Sequence, residues 1–181
     1  MKQLAQNYLV KLNDTIKNVP IEKINLLIKK IDKVKKNNNK LFICGNGGSA
    51  ANAIHIANDF IFTKSSKKKM IDVEALTSNN AIITCISNDV GYKYIFSKQL
   101  ENKAKKNDLL LLLSGSGNSE NLIEAIKVAK LKKMETFAIL GFNGGKCKKL
   151  VKNNIHIDIN DMQISEDFQL IIGHIILKSL I

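Results

Sequence analysis

Apolar residues at Leu4, Tyr8, Leu9, Leu12 and Ile16 recur with helical spacing, and so do Ile21, Ile24, Leu27, Ile28, Ile31 and Val34. Pro20, the one proline, separates the two runs and suits the first turn of the second helix. The polar stretch KKNNNK (35–40) then ends that helix. Beyond it the pattern changes to short apolar runs of strand length: 41–44, 72–76, 85–87, 109–113 and 136–140, with an alternating run at 155–159. Leu109 to Leu113 are apolar without a break, as a parallel strand buried on both faces requires. Helical segments are expected at about 49–63, 79–84, 97–105, 120–132 and 147–151. SSKKKM (65–70) reads as a solvated loop. A last helix is expected from Ser165 onward, with Ser165 as N-cap and Glu166 and Asp167 in an acidic first turn.

Strands alternating with helices predict a parallel sheet covered on both sides. Ligands bind such sheets at the carboxyl ends of the strands, near a switch in strand order. The loops at 45–49, 87–91 and 114–119 each follow an apolar run, so they are expected to gather at that edge.

Composition narrows the classes. A chain of 181 residues with 45% hydrophobic content suits one domain spanning 1–181 with one ordinary core. Two amphipathic helices in 1–38 exceed what a first α/β unit needs; packing across an oligomer interface and packing on their own sheet are equally open to them. No apolar run has membrane-spanning length, and the N-terminus lacks a signal-peptide core, so no membrane partner is expected. Cys44, Cys85 and Cys147 are odd in number and without zinc spacing, which suits reduced thiols in the cytoplasm. The formal charge is +12, but every Lys/Arg position is lysine and the lysines are spread along the chain. Arginine is the residue of bidentate base and phosphate readout. No nucleic-acid partner is therefore expected, although the charge can steer small anionic substrates.

Two glycine- and serine-rich turns carry the candidate chemistry. GNGGSA (45–50) joins a strand to a helix start, where free N–H groups attract anions. It lacks the Lys-Ser/Thr of a nucleotide P-loop and the third glycine of a dinucleotide fold. SGSGNS (114–119) offers the hydroxyls of Ser114, Ser116 and Ser119 at a second helix start, a cradle for a phosphate monoester. His55 and Asp59 are four apart on one helix face. His174 follows Glu166 and Asp167 by two turns. Histidine and carboxylate could supply an acid, a base or a divalent-metal site. His156, in an alternating strand, reads as structural.

The ordered set GNGGSAANAIHIAND, SNDVGY, SGSGNSENLIEA, GFNGGK and EDFQLIIGH resembles the phosphoheptose isomerase family, within the wider sugar-isomerase (SIS) group, over nearly the whole chain. The resemblance implies a single SIS domain: a three-layer α/β sandwich with a five-stranded parallel sheet, flavodoxin-like or Rossmann-like. It implies a cytoplasmic homotetramer with one zinc per subunit and sites at subunit interfaces. It further implies aldose–ketose isomerisation of sedoheptulose 7-phosphate to D-glycero-manno-heptose 7-phosphate, feeding heptose synthesis for lipopolysaccharide, capsule or glycoprotein. Its substrate contacts fall on Asn46, Gly47, Gly48, Ser49, Asp59, Asn88, Asp89, Ser114, Gly115, Ser116, Ser119 and Glu166. Its catalytic carboxylate falls on Asp59 and its two metal histidines on His55 and His174. From the residues themselves, Asp59 and His174 are expected to share the acid and base roles, and His55, Asp59, Glu166 and His174 make a two-carboxylate, two-histidine metal set available. Three positions depart from the family pattern. Asp59 replaces a glutamate, Glu166 replaces a glutamine, and an expected arginine is missing, with Lys64 nearby. These departures leave open a different sugar phosphate, or a non-catalytic phosphosugar-binding protein.

Overall fold

The structure, a computed structural model, describes residues 2–62 and 70–181. Helices α1 (Lys2–Ile16) and α2 (Ile21–Lys36) lead into β1 (Lys40–Cys44) and α3 (Gly48–Ile61). Next come β2 (Asp72–Ala75), α4 (Asn80–Asp89), a short 3₁₀ turn (Tyr92–Tyr94) and α5 (Ser97–Lys103). The chain continues through β3 (Leu109–Ser114), α6 (Glu120–Leu131), β4 (Glu135–Leu140), α7 (Gly145–Leu150), β5 (Asn153–His156) and α8 (Met162–Leu180). All strand pairs are parallel, in the order β2-β1-β3-β4-β5. The order reverses between β1 and β3, so the turns after those two strands, GNGGSA and SGSGNS, flank the switch point.

The period of two along the strands sorts the core into two layers. Leu109, Leu111 and Leu113 face one cluster, formed with α2, α3 and α8. Leu110 and Leu112 face the other, formed with α5, α6 and α7. Each of these leucines is worth roughly 1.5–3 kcal/mol on burial, which explains why the unbroken leucine run takes the central strand.

Several boundaries differ from expectation. The run at 85–87 is no strand: Asn79 caps α4, its Oδ1 accepting from Ile82 N (3.2 Å), and the helix runs unbroken to Asp89. Asn88 and Asp89 therefore end a helix and do not follow a strand. The last helix begins at Met162, because Asp161 is its N-cap and accepts from Ile164 N (3.2 Å). Ser165 is buried inside the helix, its hydroxyl bonded to Asp161 O (2.6 Å), and Glu166 and Asp167 move to the second turn. Strand β5 ends at His156, three residues earlier than the pattern suggests. Pro20 stands at the N-cap of α2, one place before its first turn. Lys64 and most of the 65–70 stretch lie outside the described residues. Among the described residues, no helix is long and apolar enough to cross a membrane.

Candidate active site

Helices α3 and α8 pack against each other, and their contact builds the site. Gly173 lets the two helices approach closely: a Cβ there would lie 2.7 Å from Cγ1 and 2.9 Å from Cδ1 of Ile56. Three buried polar side chains then set the register of α8 on α3. Asn52 Nδ2 donates to Glu166 O and to Gln169 Oε1, each at 3.0 Å. Gln169 Nε2 donates to Ser49 Oγ (3.0 Å). Buried amides are costly when unpaired, so this network admits few relative positions of the two helices. From α1, Tyr8 OH donates to Asp167 Oδ2 (2.6 Å), which pushes the tyrosine pKa up to about 12, and Lys11 pairs with Asp161 (2.7 Å).

That register brings His55, Asp59 and His174 together. His55 Nε2 lies 3.1 Å from His174 Nε2 and 3.4 Å from Asp59 Oδ2, and His174 Nε2 lies 3.7 Å from the same oxygen. The imidazoles meet edge to face. Both histidine side chains are about half exposed (49% and 50%), so a ligand can reach them, while Asp59 is more enclosed at 23%. Zinc bonds of about 2.0–2.1 Å to nitrogen and carboxylate oxygen put tetrahedral ligands about 3.3–3.4 Å apart. The three separations bracket that edge, and the three donors lie within 4.8 Å of one another, so the trio fits a divalent metal with a position left open. Asp59 Oδ2 faces the histidines. Glu166 stands apart from the trio. Its carboxylate lies against Gly48, where any Cβ would collide with it.

The serine turn is closed by its own backbone. Ser114 Oγ accepts from Gly117 N (2.9 Å), and Ser116 Oγ accepts from Asn118 N (3.3 Å). Gly117, at φ +66°, rests so close to Gly144 that a side chain there would strike its carbonyl. Cys147 N donates to Gly117 O (2.9 Å) and Lys146 N to Asn118 Oδ1 (3.0 Å), so the GFNGGK turn buttresses this loop. Gly115 packs on Met162. Ser119 is the N-cap of α6, yet its hydroxyl makes no cap hydrogen bond, which leaves the helix start available to an anion. In the other turn, Gly47 adopts φ +55° at the N-cap of α3, also without a side-chain cap.

Asn46 ends β1's turn in a paired amide contact with Asn121 (2.9 and 2.8 Å), and Tyr92 OH adds a third hydrogen bond (3.0 Å). Asn88 and Asp89 are exposed at the end of α4, bonded to each other (2.8 Å), and Cys85 donates to Asp89 (3.5 Å). Neither lines the clefts beside Asn46. The Asp89 contact pushes the Cys85 thiol pKa up, and burial pushes the Cys44 thiol up, so neither cysteine is a ready nucleophile. His156 accepts its place beside Phe142 O (2.7 Å) and Lys148 (3.0 Å), a structural role. Sequence reading missed Asn52, Gln169, Gly173, Tyr92 and Asn121. The available signal was a polar or small residue on an otherwise apolar helix face, at Asn52, Gln169 and Gly173.

Comparison with known proteins agrees with this arrangement. The SIS domain family matches residues 6–141. The phosphoheptose isomerase of Aliarcobacter butzleri is 38% identical over 141 residues, covering 78% of this chain and 75% of the relative. The probable phosphoheptose isomerase of Thermoplasma acidophilum is 37% identical over 159 residues, covering 88% and 87%. The solved phosphoheptose isomerase of Neisseria gonorrhoeae superposes with a TM-score of 0.90 at 26% identity, covering 99% of this chain and 97% of that one. The Francisella tularensis structure, at 23% identity and TM-score 0.91, shares the fold. The chain belongs to the phosphoheptose isomerase family of SIS-domain proteins and is a phosphosugar isomerase.

Proposed function

We propose that the protein interconverts sedoheptulose 7-phosphate and D-glycero-manno-heptose 7-phosphate through an enediol. The observation that carries this reading is the convergence of His55, Asp59 and His174 at the contact of α3 with α8. An aldose–ketose isomerisation moves a proton between adjacent carbons, so it needs a base at the carbons, a proton carrier at the oxygens and a distant anchor for the phosphate. Asp59 serves as the base, and His174 moves the proton between the substrate oxygens. Ser114, Gly115, Ser116 and Ser119 hold the phosphate at the start of α6. Asn46, Gly47, Gly48 and Ser49 lie along the sugar. Glu166 contacts it across Gly48, and Asn88 and Asp89 remain candidate contacts from the end of α4.

His55, Asp59 and His174 would hold a zinc ion; the Glu166 carboxylate rests against Gly48, outside that trio. A metal bound there supplies polarisation of the carbonyl. The protein works in the cytoplasm as a homotetramer, with the exposed apolar residues Leu4, Leu9, Val10 and Ile16 of α1 as packing surface. Its product serves heptose synthesis for lipopolysaccharide, capsule or glycoprotein.

The test is a coupled turnover assay on sedoheptulose 7-phosphate. Asp59→Asn and His174→Ala are each expected to lower kcat by about 10²–10⁴-fold, the usual share of acid–base catalysis. Unchanged activity in both variants refutes these roles. Binding of a sugar phosphate by the wild type without turnover would favour a phosphosugar-binding protein instead.

A further inference from the structure

Asn46 is held by neighbours that the catalytic scheme does not use. Its Oδ1 accepts from Asn121 Nδ2 (2.8 Å) and from Tyr92 OH (3.0 Å), which occupies both lone pairs. Its Nδ2 donates one hydrogen to Asn121 Oδ1 (2.9 Å). One N–H is left over. Asn121 is buried, so its amide cannot follow a rotation of Asn46 without leaving a polar group unpaired. Tyr92 comes from the 3₁₀ turn and is mostly exposed (57%), and its hydroxyl reaches Asn46 at the cleft wall.

These groups line a cleft of about 430 Å³ at the switch point, between the turns after β1 and β3. Asn46, Tyr92, Asn121 and Ser119 of the phosphate loop line it, with the charged Lys93 and Glu120 among them. We propose that Tyr92 is a positioning residue: with Asn121 it locks the Asn46 amide so that Asn46 offers the cleft one donor and no acceptor. The ligand group that meets Asn46 is then an oxygen acting as acceptor, a carbonyl or hydroxyl of the sugar. The inference rests on the phosphosugar reading above and adds a specificity device to it.

The experiment compares Tyr92→Phe with the wild type. Phenylalanine keeps the ring and removes only the hydroxyl at an exposed site, so folding should be unaffected. Without the Tyr92 hydroxyl, Asn46 is held by Asn121 alone, so its amide is fixed less firmly and its N–H is no longer held on the sugar oxygen. The expected result is a KM for the sugar phosphate raised about 3–10-fold, the usual worth of one hydrogen bond, with kcat within about twofold. The inhibition constant of inorganic phosphate, which reads the serine loop alone, should not move. If the wild type binds without turnover, the same ratio is read as a calorimetric Kd. An unchanged KM or Kd in the variant overturns the proposal, as does an equal loss of inorganic phosphate affinity, which would mean a loosened cleft. A wild type that neither binds nor converts any sugar phosphate defeats the functional reading and this inference together. Turnover with an unchanged Tyr92→Phe defeats only the inference.

Discussion

Gly173→Ala sets two helix effects of opposite sign against each other. Glycine inside α8 is unfavourable by about 1 kcal/mol relative to alanine, so on propensity alone the change stabilises. The structure predicts the reverse. The new methyl would lie 2.7 Å from Cγ1 and 2.9 Å from Cδ1 of Ile56, which α3 buries in the core where it meets α8. Overpacking a tight core contact costs about 1–3 kcal/mol, so the net expectation is a loss near 1 kcal/mol. For a domain of this size that is a fall in Tm of about 2–4 °C. Removing the obstacle should reverse the sign: in Ile56→Ala the Gly173→Ala change stabilises, because the methyl fills part of the cavity. A double-mutant cycle read by thermal denaturation therefore shows a favourable coupling between the two sites. His174 is the next residue along α8, so Gly173→Ala should also widen the gap to His55 and, on the zinc reading proposed above, weaken zinc binding, read by competition with a chromophoric chelator. A rise in Tm of 2–4 °C with zinc affinity intact would show that α8 has room at Gly173 and refute the reasoning.

Two further outcomes follow from the same geometry. Gln169→Leu removes the donor to Ser49 and the acceptor for Asn52, and should cost about 1–3 kcal/mol in urea denaturation, since a buried polar group is left unpaired; an unchanged midpoint would mean the network does not hold α8. Glu74 gives an acid-side test. Burial raises its pKa, but hydrogen bonds from Lys103 and Lys40 outweigh burial and hold the carboxyl below the usual carboxylate range. A carboxyl depressed in the folded state contributes stability above its unfolded pKa, and that contribution is lost as pH falls through the folded value. The stability difference between wild type and Glu74→Gln should therefore be full at neutral pH, begin to shrink as pH falls past the free glutamate value of about 4.3, and be gone once pH lies below the depressed folded value; a difference that does not shrink in acid would contradict the pairing.

Much of the architecture was legible because it rests on local periodicity. The leucine run at 109–113 could bury both faces only in a central parallel strand, and it does. The run at 85–87 misled for the opposite reason: a few apolar residues fit a strand or a helix equally, and the Asn79 cap decided for α4. The start of α8 was misplaced because Asp161 and Ser165 are both competent caps, and only the burial of Ser165 beside Gly141 separates them.

The site divides in the same way. Sequence alone determined which residues carry chemistry: the hydroxyls of SGSGNS, the i, i+4 pair of His55 and Asp59, and a distant His174. These follow from residue type and helical spacing, which are local. Tertiary structure decided that His174 meets that pair and that Glu166 rests on Gly48. It also decided that Asn88 and Asp89 stand apart at the end of a helix. Those outcomes depend on how α8 slides against α3, and that register comes from a missing side chain at Gly173 and a buried amide network through Asn52, Gln169 and Ser49. Contacts between residues more than a hundred positions apart leave no periodic trace in the chain, because each partner is ordinary until the other is placed beside it.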